Sequence, residues 1–103
     1  MDYSTQDNHR GVDTSIEAAD MAATKASRLR RLVLDTLIEH PENLTVDQVC
    51  AIAKLPRYSL QPRFSELLKL GLIRDTGERR VNTSGARAKA WRAVWLDQQE
   101  KAA

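Results

Sequence analysis

The chain has 103 residues, of which 29% are charged and 42% apolar, and a formal net charge of +2. This is room for one domain but too little for two, in ordinary globular rather than disordered composition. No apolar run nears the ~20 residues of a spanning helix. No basic-then-apolar leader opens the chain, and the single cysteine, Cys50, admits no internal disulfide, so a reducing cytoplasm is the expected compartment.

Charge is unevenly spread. Residues 1–22 carry Asp2, Asp7, Asp13, Glu17 and Asp20 against Arg10, a net −4, whereas residues 57–92 carry nine Lys and Arg against Glu66, Asp75 and Glu78, a net +6. A basic second half points to a polyanionic partner, the plain alternative being a solvated basic surface.

Residues 1–12 are polar and aperiodic and read as a disordered, mobile tail. Residues 13–24 read as a short helix: Thr14 and Glu17 have capping-box spacing, and Ile16, Ala19 and Ala23 share one side. So thin an apolar stripe must dock on the domain or on a second copy of the chain. "ASRLRRLVLDTLIEHPEN" is the strongest periodic segment, with Leu29, Leu32, Val33 and Leu37 on one face, Leu34 and Ile38 widening it, and Pro41 and Asn43 ending it. Its opening cations Arg28, Arg30 and Arg31 sit at the less favoured end of the helix dipole.

Thr45 should then cap a short helix whose inward positions are Val49, Cys50 and Ala53. The break "KLPRY" follows, and Ser59 is expected to cap a helix running to Leu70, with Leu60, Phe64, Leu67, Leu68 and Leu70 inward. Pro62 is expected within its first turn, where a missing N–H costs little. Gly71 suits a left-handed cap. Opposite the apolar stripe, Tyr58, Gln61, Pro62, Ser65, Glu66 and Lys69 make a polar face edged by Arg57 and Arg63.

"LIRDTGERRVN" and "AKAWRAVWL" read as two strands joined through "TSGAR". Alternation places Trp91, Ala93 and Trp95 on one side, the two tryptophans as core anchors, and Arg92 on the other. The main domain is expected over residues 25–97, with 98–103 a frayed end. His9 and His40 stand apart with one Cys, so no zinc site assembles. Gly71, Gly77 and Gly85 are isolated, and Ser84-Gly85 lacks the setting of a nucleophile elbow. No enzyme activity, cofactor, metal or small-molecule ligand is expected.

Two helices joined by a three- or four-residue break make a helix-turn-helix, and a hairpin after the second makes a wing. From about residue 27 to 96 the chain resembles the winged helix-turn-helix DNA-binding proteins. "LTVDQVCAIAKLPRYSLQPRFSELLKLGLI" carries the likeness, through Thr45, Val49, Cys50, Ala53, Leu55, Leu60, Phe64, Leu67 and the closing "GLI". Lys54 departs from the pattern where Gly is common, which puts the shape of the turn in question. More narrowly, "TSIEAAD" and "PRFSELLKLGLIRDTGERRVNTSGARAKAW" are similar to small winged-helix proteins of phages and prophages.

The resemblance implies a mainly α fold with a small β-hairpin, a three-helix core plus wing, to which this chain would add the short N-terminal helix. It also implies sequence-specific binding of double-stranded DNA by a small phage-type transcriptional regulator. The helix from Ser59 to Leu70 would lie in the major groove, with the hairpin on phosphates or the minor groove. The residues at those places are Arg57, Tyr58, Ser59, Gln61, Arg63, Ser65 and Lys69 on the helix, and Arg79, Arg80, Asn82, Thr83, Arg87 and Lys89 on the wing. Gln61 suits a bidentate contact to adenine, and Lys69 a guanine or a phosphate. Glu66 repels phosphate unless it meets a cytosine amino group, Arg63 or Lys69. The wing would neutralise about four to six phosphates. A homodimer on a palindromic site is expected if the "TSIEAADMAA" helix pairs with its copy. The rival from another class is a protein-interaction module binding a host or replication protein, favoured by Glu66 and the modest total charge.

Overall fold

The computed structural model describes residues 24–102. The tail expected over residues 1–12 and the short helix expected from residue 13, its Thr14–Glu17 cap included, lie outside the described residues.

Helix α1 spans Lys25–Glu39. Thr24 caps it, its hydroxyl accepting from the Ser27 N–H at 3.0 Å while the Ser27 hydroxyl donates back to the Thr24 carbonyl at 2.9 Å. Val33, Leu34, Leu37 and Ile38 are its buried stripe; Leu29 packs only partly, and Leu32 lies at the margin. Helix α2, Val46–Ala53, opens with a full capping box: Thr45 accepts from the Gln48 N–H, and the Gln48 side chain accepts from the Thr45 N–H.

The break is Lys54, Leu55 and Pro56. Lys54 adopts the left-handed conformation, φ 58° and ψ 44°. The turn therefore keeps the shape a glycine would give it and bears the steric cost of a Cβ there. Helix α3 spans Arg57–Lys69, with Pro56 at its N-cap and no side-chain cap. The expected Ser59 cap is corrected: Pro56, with its fixed φ, already turns the chain into the helix, and the Ser59 N–H bonds to the Pro56 carbonyl. Pro62 consequently falls in the second turn, where its ring removes one i→i−4 bond. Leu68 and Leu70 are exposed rather than inward. The far end is a Schellman cap: Gly71, at φ 77°, donates to the Leu68 carbonyl, and Leu72 to the Leu67 carbonyl.

Strands β1 (Ile73–Val81) and β2 (Arg87–Ala93) form an antiparallel hairpin. Its turn is closed by Asn82 N–H to the Ala86 carbonyl and Gly85 N–H to the Asn82 carbonyl, with Gly85 at φ 90°. Between Asp75 and Arg79 the register shifts in a bulge. There Asp75 accepts from the Gly77 N–H, and Thr76 donates to the Ala90 carbonyl. Leu44, in the α1–α2 loop, pairs as a single-residue bridge with Trp91 on the other edge of β2. That tie joins the hairpin to the helices.

The second strand was expected to reach Leu96 and the chain to fray beyond it. Instead the strand stops at Ala93 and helix α4 runs from Val94 to Ala102. Asp97 is the reason: helical geometry lets it meet Arg74 at 2.6 Å and Arg92 at 2.7 Å while Trp95 and Leu96 pack against the core.

The core joins Val33, Leu34, Leu37 and Ile38 of α1, Leu44, Val46 and Val49, the α3 residues Leu60, Phe64 and Leu67, and Ile73, Trp91 and Ala93 of the hairpin. Trp91 is 8% exposed and meets Phe64 with ring centroids 6.0 Å apart. Three helices, one three-residue turn and a hairpin packed on them constitute a winged helix-turn-helix.

Candidate nucleic-acid interface

Strand parity sorts the basic residues of the hairpin. Cross-strand partners share a face, so Arg79 with Lys89 and Val81 with Arg87 lie on the same side as Ile73 and Trp91. That side is core near the body and open toward the tip. Arg74, Arg80 and Arg92 lie on the other side, together with Ala88.

The second side is structural. Arg92 is 7% exposed; it donates to the Pro41 carbonyl at 2.7 Å and the Asn43 side-chain oxygen at 3.2 Å, and it pairs with Asp97 and Glu100. Arg80 donates to the Glu42 and Asn43 carbonyls, both at 2.8 Å, to the Gln48 side chain at 2.9 Å, and pairs with Glu78 at 2.6 Å. The Arg80 guanidinium in turn holds the Glu78 carboxyl below its usual range. Both arginines therefore clamp the hairpin onto the α1–α2 loop.

On the open side, α3 and the hairpin enclose a groove of about 380 Å³, lined by Arg57, Gln61, Ser65 and Leu68 from the helix and Arg87 and Lys89 from β2, with Val46, Phe64 and Trp91 in its floor. One turn of helix separates each of Arg57, Gln61 and Ser65 from the next, which aligns them along one edge. Arg57 donates from Nη1 to Asp47 at 2.7 Å and from Nε to the Gln61 carbonyl oxygen at 3.0 Å. Lys89 stands 5.7 Å from the Trp91 ring centre, a cation–π contact.

The other sequence-predicted residues lie elsewhere. Arg63 is turned toward α1, where Glu66 joins it at 3.0 Å and Arg30 at 2.9 Å, its side chain only 15% exposed. Glu66 is thereby neutralised twice. Lys69 borders a separate notch with Arg30, Glu66 and Leu70. Arg79 pairs with Asp75 at 3.0 Å; the Gly77 N–H and then Arg79 hold that carboxyl below its usual range. Asn82 and Thr83 line a second hollow with Arg80, Thr45, Asp47, Gln48 and Ala51. Tyr58 is 82% exposed at the start of α3, and Ser59 is half-buried.

The groove thus gathers Arg57, Gln61, Ser65, Arg87 and Lys89, and leaves Tyr58, Ser59, Arg63, Lys69, Arg79, Arg80, Asn82 and Thr83 outside its lining. Sequence reasoning missed Asp47, which positions Arg57, and Leu68, the apolar part of the wall. The i, i+4 spacing of Arg57 and Gln61 was a signal for their contact; nothing local signalled Asp47. Burial pushes the Cys50 thiol up, as for an inert, partly buried cysteine.

No family model matches the sequence, and no curated protein matches it. Among solved structures, the chain is similar to the crystal structure of a MarR-family transcription regulator, at 22% identity and a TM-score of 0.48. The alignment takes in 95% of this chain and 66% of that one, so the chain spans just under two thirds of that protein's length. A likeness of that degree says nothing of what this chain binds.

Proposed function

We propose that the protein binds double-stranded DNA sequence-specifically and acts as a transcription regulator, with α3 entering the major groove and β2 against the phosphate backbone. The observation that carries this reading is the shared groove: Arg57, Gln61 and Ser65 on one wall face Arg87 and Lys89 on the other. An α-helix fits a major groove about 12 Å wide, and donor side chains along its exposed edge meet base acceptors there. Cations on the facing strand are positioned for phosphate, which fixes orientation without reading sequence. The narrower part of the proposal, a small regulator of the phage and prophage type, rests on the sequence resemblance alone. One such module buries roughly 600–1,000 Å², so pairing of two copies on a palindromic site belongs to the same proposal.

The second reading, a protein-interaction module, has one observation in its favour. Tyr58, Leu68 and Val81 are exposed apolar groups, at 82%, 46% and 71%, while Arg57, Arg63, Arg79 and Arg80 are ion-paired within the chain.

Titration of a fluorescent duplex at two salt concentrations separates the two. DNA binding predicts a dissociation constant at or below about 10⁻⁵ M at low salt and weaker binding at high salt. Absence of binding at low salt overturns the DNA reading.

A further inference from the structure

Charge divides the chain at Thr24. Residues 24–102 sum to +6, whereas residues 1–23 hold Asp2, Asp7, Asp13, Glu17 and Asp20 against Arg10, a net −4. The carboxylates of the domain are largely committed: Asp47, Glu66, Asp75, Glu78, Asp97 and Glu100 each hold an arginine. Arg87 and Lys89 have no ion-pair partner among the described residues, and Asp75 acts on Lys89 only through its field. Both line one wall of the groove. Arg57, on the facing wall, keeps guanidinium N–H groups beyond those given to Asp47 and Gln61. Two uncommitted cations and one half-committed cation thus converge on one cleft, which is where an anion is most favoured.

The lining is not purely cationic. Val46, Phe64 and Trp91 floor the groove, and Leu68, 46% exposed, adds an apolar stretch of wall. A phosphate group alone leaves that surface uncovered. An acidic peptide does not: Asp2-Tyr3 and Val12-Asp13 each set an apolar side chain beside a carboxylate. Reach is sufficient, because 23 residues extend to about 75 Å at about 3.3 Å each, and the longest dimension of the structure is 40 Å. A tether of that length also makes the contact intramolecular, at an effective concentration on the order of millimolar, so weak ion pairs suffice to fill the groove. We infer that the acidic residues 1–22 dock in the groove of their own chain, carboxylates against Arg87 and Lys89 and an apolar side chain over Leu68. The docking stands on charge, lining and reach. Its consequence, that this segment competes with a duplex for the groove, rests on the DNA reading above.

The full chain, at low salt, is treated with a water-soluble carbodiimide, which joins a carboxylate to an amine only where the two touch. Linked peptides are identified by mass spectrometry, in an equal mixture of ordinary and isotope-labelled chains. Lys89 should link to Asp2, Asp7, Asp13, Glu17 or Asp20 within one chain, at a yield several-fold above that of Lys54, Lys69 or Lys101. The yield at Lys89 should collapse in 1 M salt, where the screening length is about 3 Å. It should also fall several-fold in Arg87→Gln, which removes one of the attracting cations. A yield at Lys89 no higher than at the other three lysines overturns the inference, as does one indifferent to Arg87→Gln. Links between differently labelled chains overturn it in favour of a second copy. A saturating duplex should abolish the Lys89 link; a link that persists beside bound DNA overturns the competition. If the link forms and no duplex binds, the docking stands and the DNA reading falls.

Discussion

Arg80 and Arg87 belong to one hairpin and have opposite surroundings. Arg80 is held by two backbone carbonyls, Gln48 and Glu78, and Arg87 lines the open groove. Hydrogen bonds from a charged group to buried or half-buried acceptors contribute about 1.5–3 kcal/mol each, less where water competes. Arg80→Met should therefore cost roughly 1–2 kcal/mol in all, a fall in Tm of about 4–8 °C per kcal/mol for a domain of this size. Arg87→Ala alone should leave Tm nearly unchanged, and adding Lys89→Ala should lower it only by the about 0.5–1 kcal/mol of the Lys89–Trp91 contact. The double substitution should instead weaken binding to every duplex, by about an order of magnitude per lost phosphate contact at 0.1 M salt. Thermal melts and anisotropy on the same samples check both. An unchanged Tm for Arg80→Met together with weaker DNA binding would reassign Arg80 to the interface. Parity alternates sides within one strand, but which side Arg87 shares with the first strand, and which side meets the loop, depends on the cross-strand register, Arg80 with Ala88 and Val81 with Arg87, which the sequence did not supply.

At the scale of elements, the helical stripes and the hairpin were legible because their periods are local. Val33, Leu37, Leu60, Phe64 and Leu67 repeat at three and four residues, and a Gly closes both α3 and the hairpin turn. The end of β2 was not, since Ala93 to Leu96 is a short apolar run that periodicity assigns equally to strand or helix. Asp97 decides it, through partners 5 and 23 residues away. Arg74 first, and then Arg92, hold its carboxyl down at about 2. A folded-state pKa below the ordinary carboxylate value means the folded protein binds fewer protons there. The stabilisation is therefore complete above about pH 4 and is lost as pH falls toward 2. Asp97→Asn should lower Tm by a few degrees at pH 7, and the gap to the parent should close between pH 4 and 2. Melts at pH 7, 4, 3 and 2 measure this; a gap independent of pH would show that Asp97 does not anchor α4 through its charge. Asp75, Glu78 and Glu42, whose pKa values are also lowered, titrate in both proteins and cancel in the comparison.

At the scale of the molecule, residues 24–102 hold fifteen Lys and Arg against nine Asp and Glu, a net +6, yet most of the cations near the groove are already spoken for. Asp75 takes Arg79, Glu78 takes Arg80 and Glu66 takes Arg63, all within 3.0 Å. Those pairings join residues close in sequence, but their consequence was not visible there, because each side chain's exposure depends on which face it occupies. Counting wing arginines gave about four to six phosphates; the groove offers Arg87, Lys89 and, shared with Asp47, Arg57. Each neutralised phosphate contributes about −0.9 to the slope of log affinity against log salt, so one protomer should show a slope of roughly −2 to −3. Two protomers on a palindrome should double it at a stoichiometry of two chains per duplex. Anisotropy titrations at four or more salt concentrations, with the stoichiometry fixed by saturating DNA, give both numbers. A slope of about −4 or steeper for a single bound chain would mean that Arg79 and Arg80 leave their carboxylates for phosphate. In that case the hairpin would have to detach from the α1–α2 loop on binding, and the clamp assigned to Arg80 would be a feature of the free protein only.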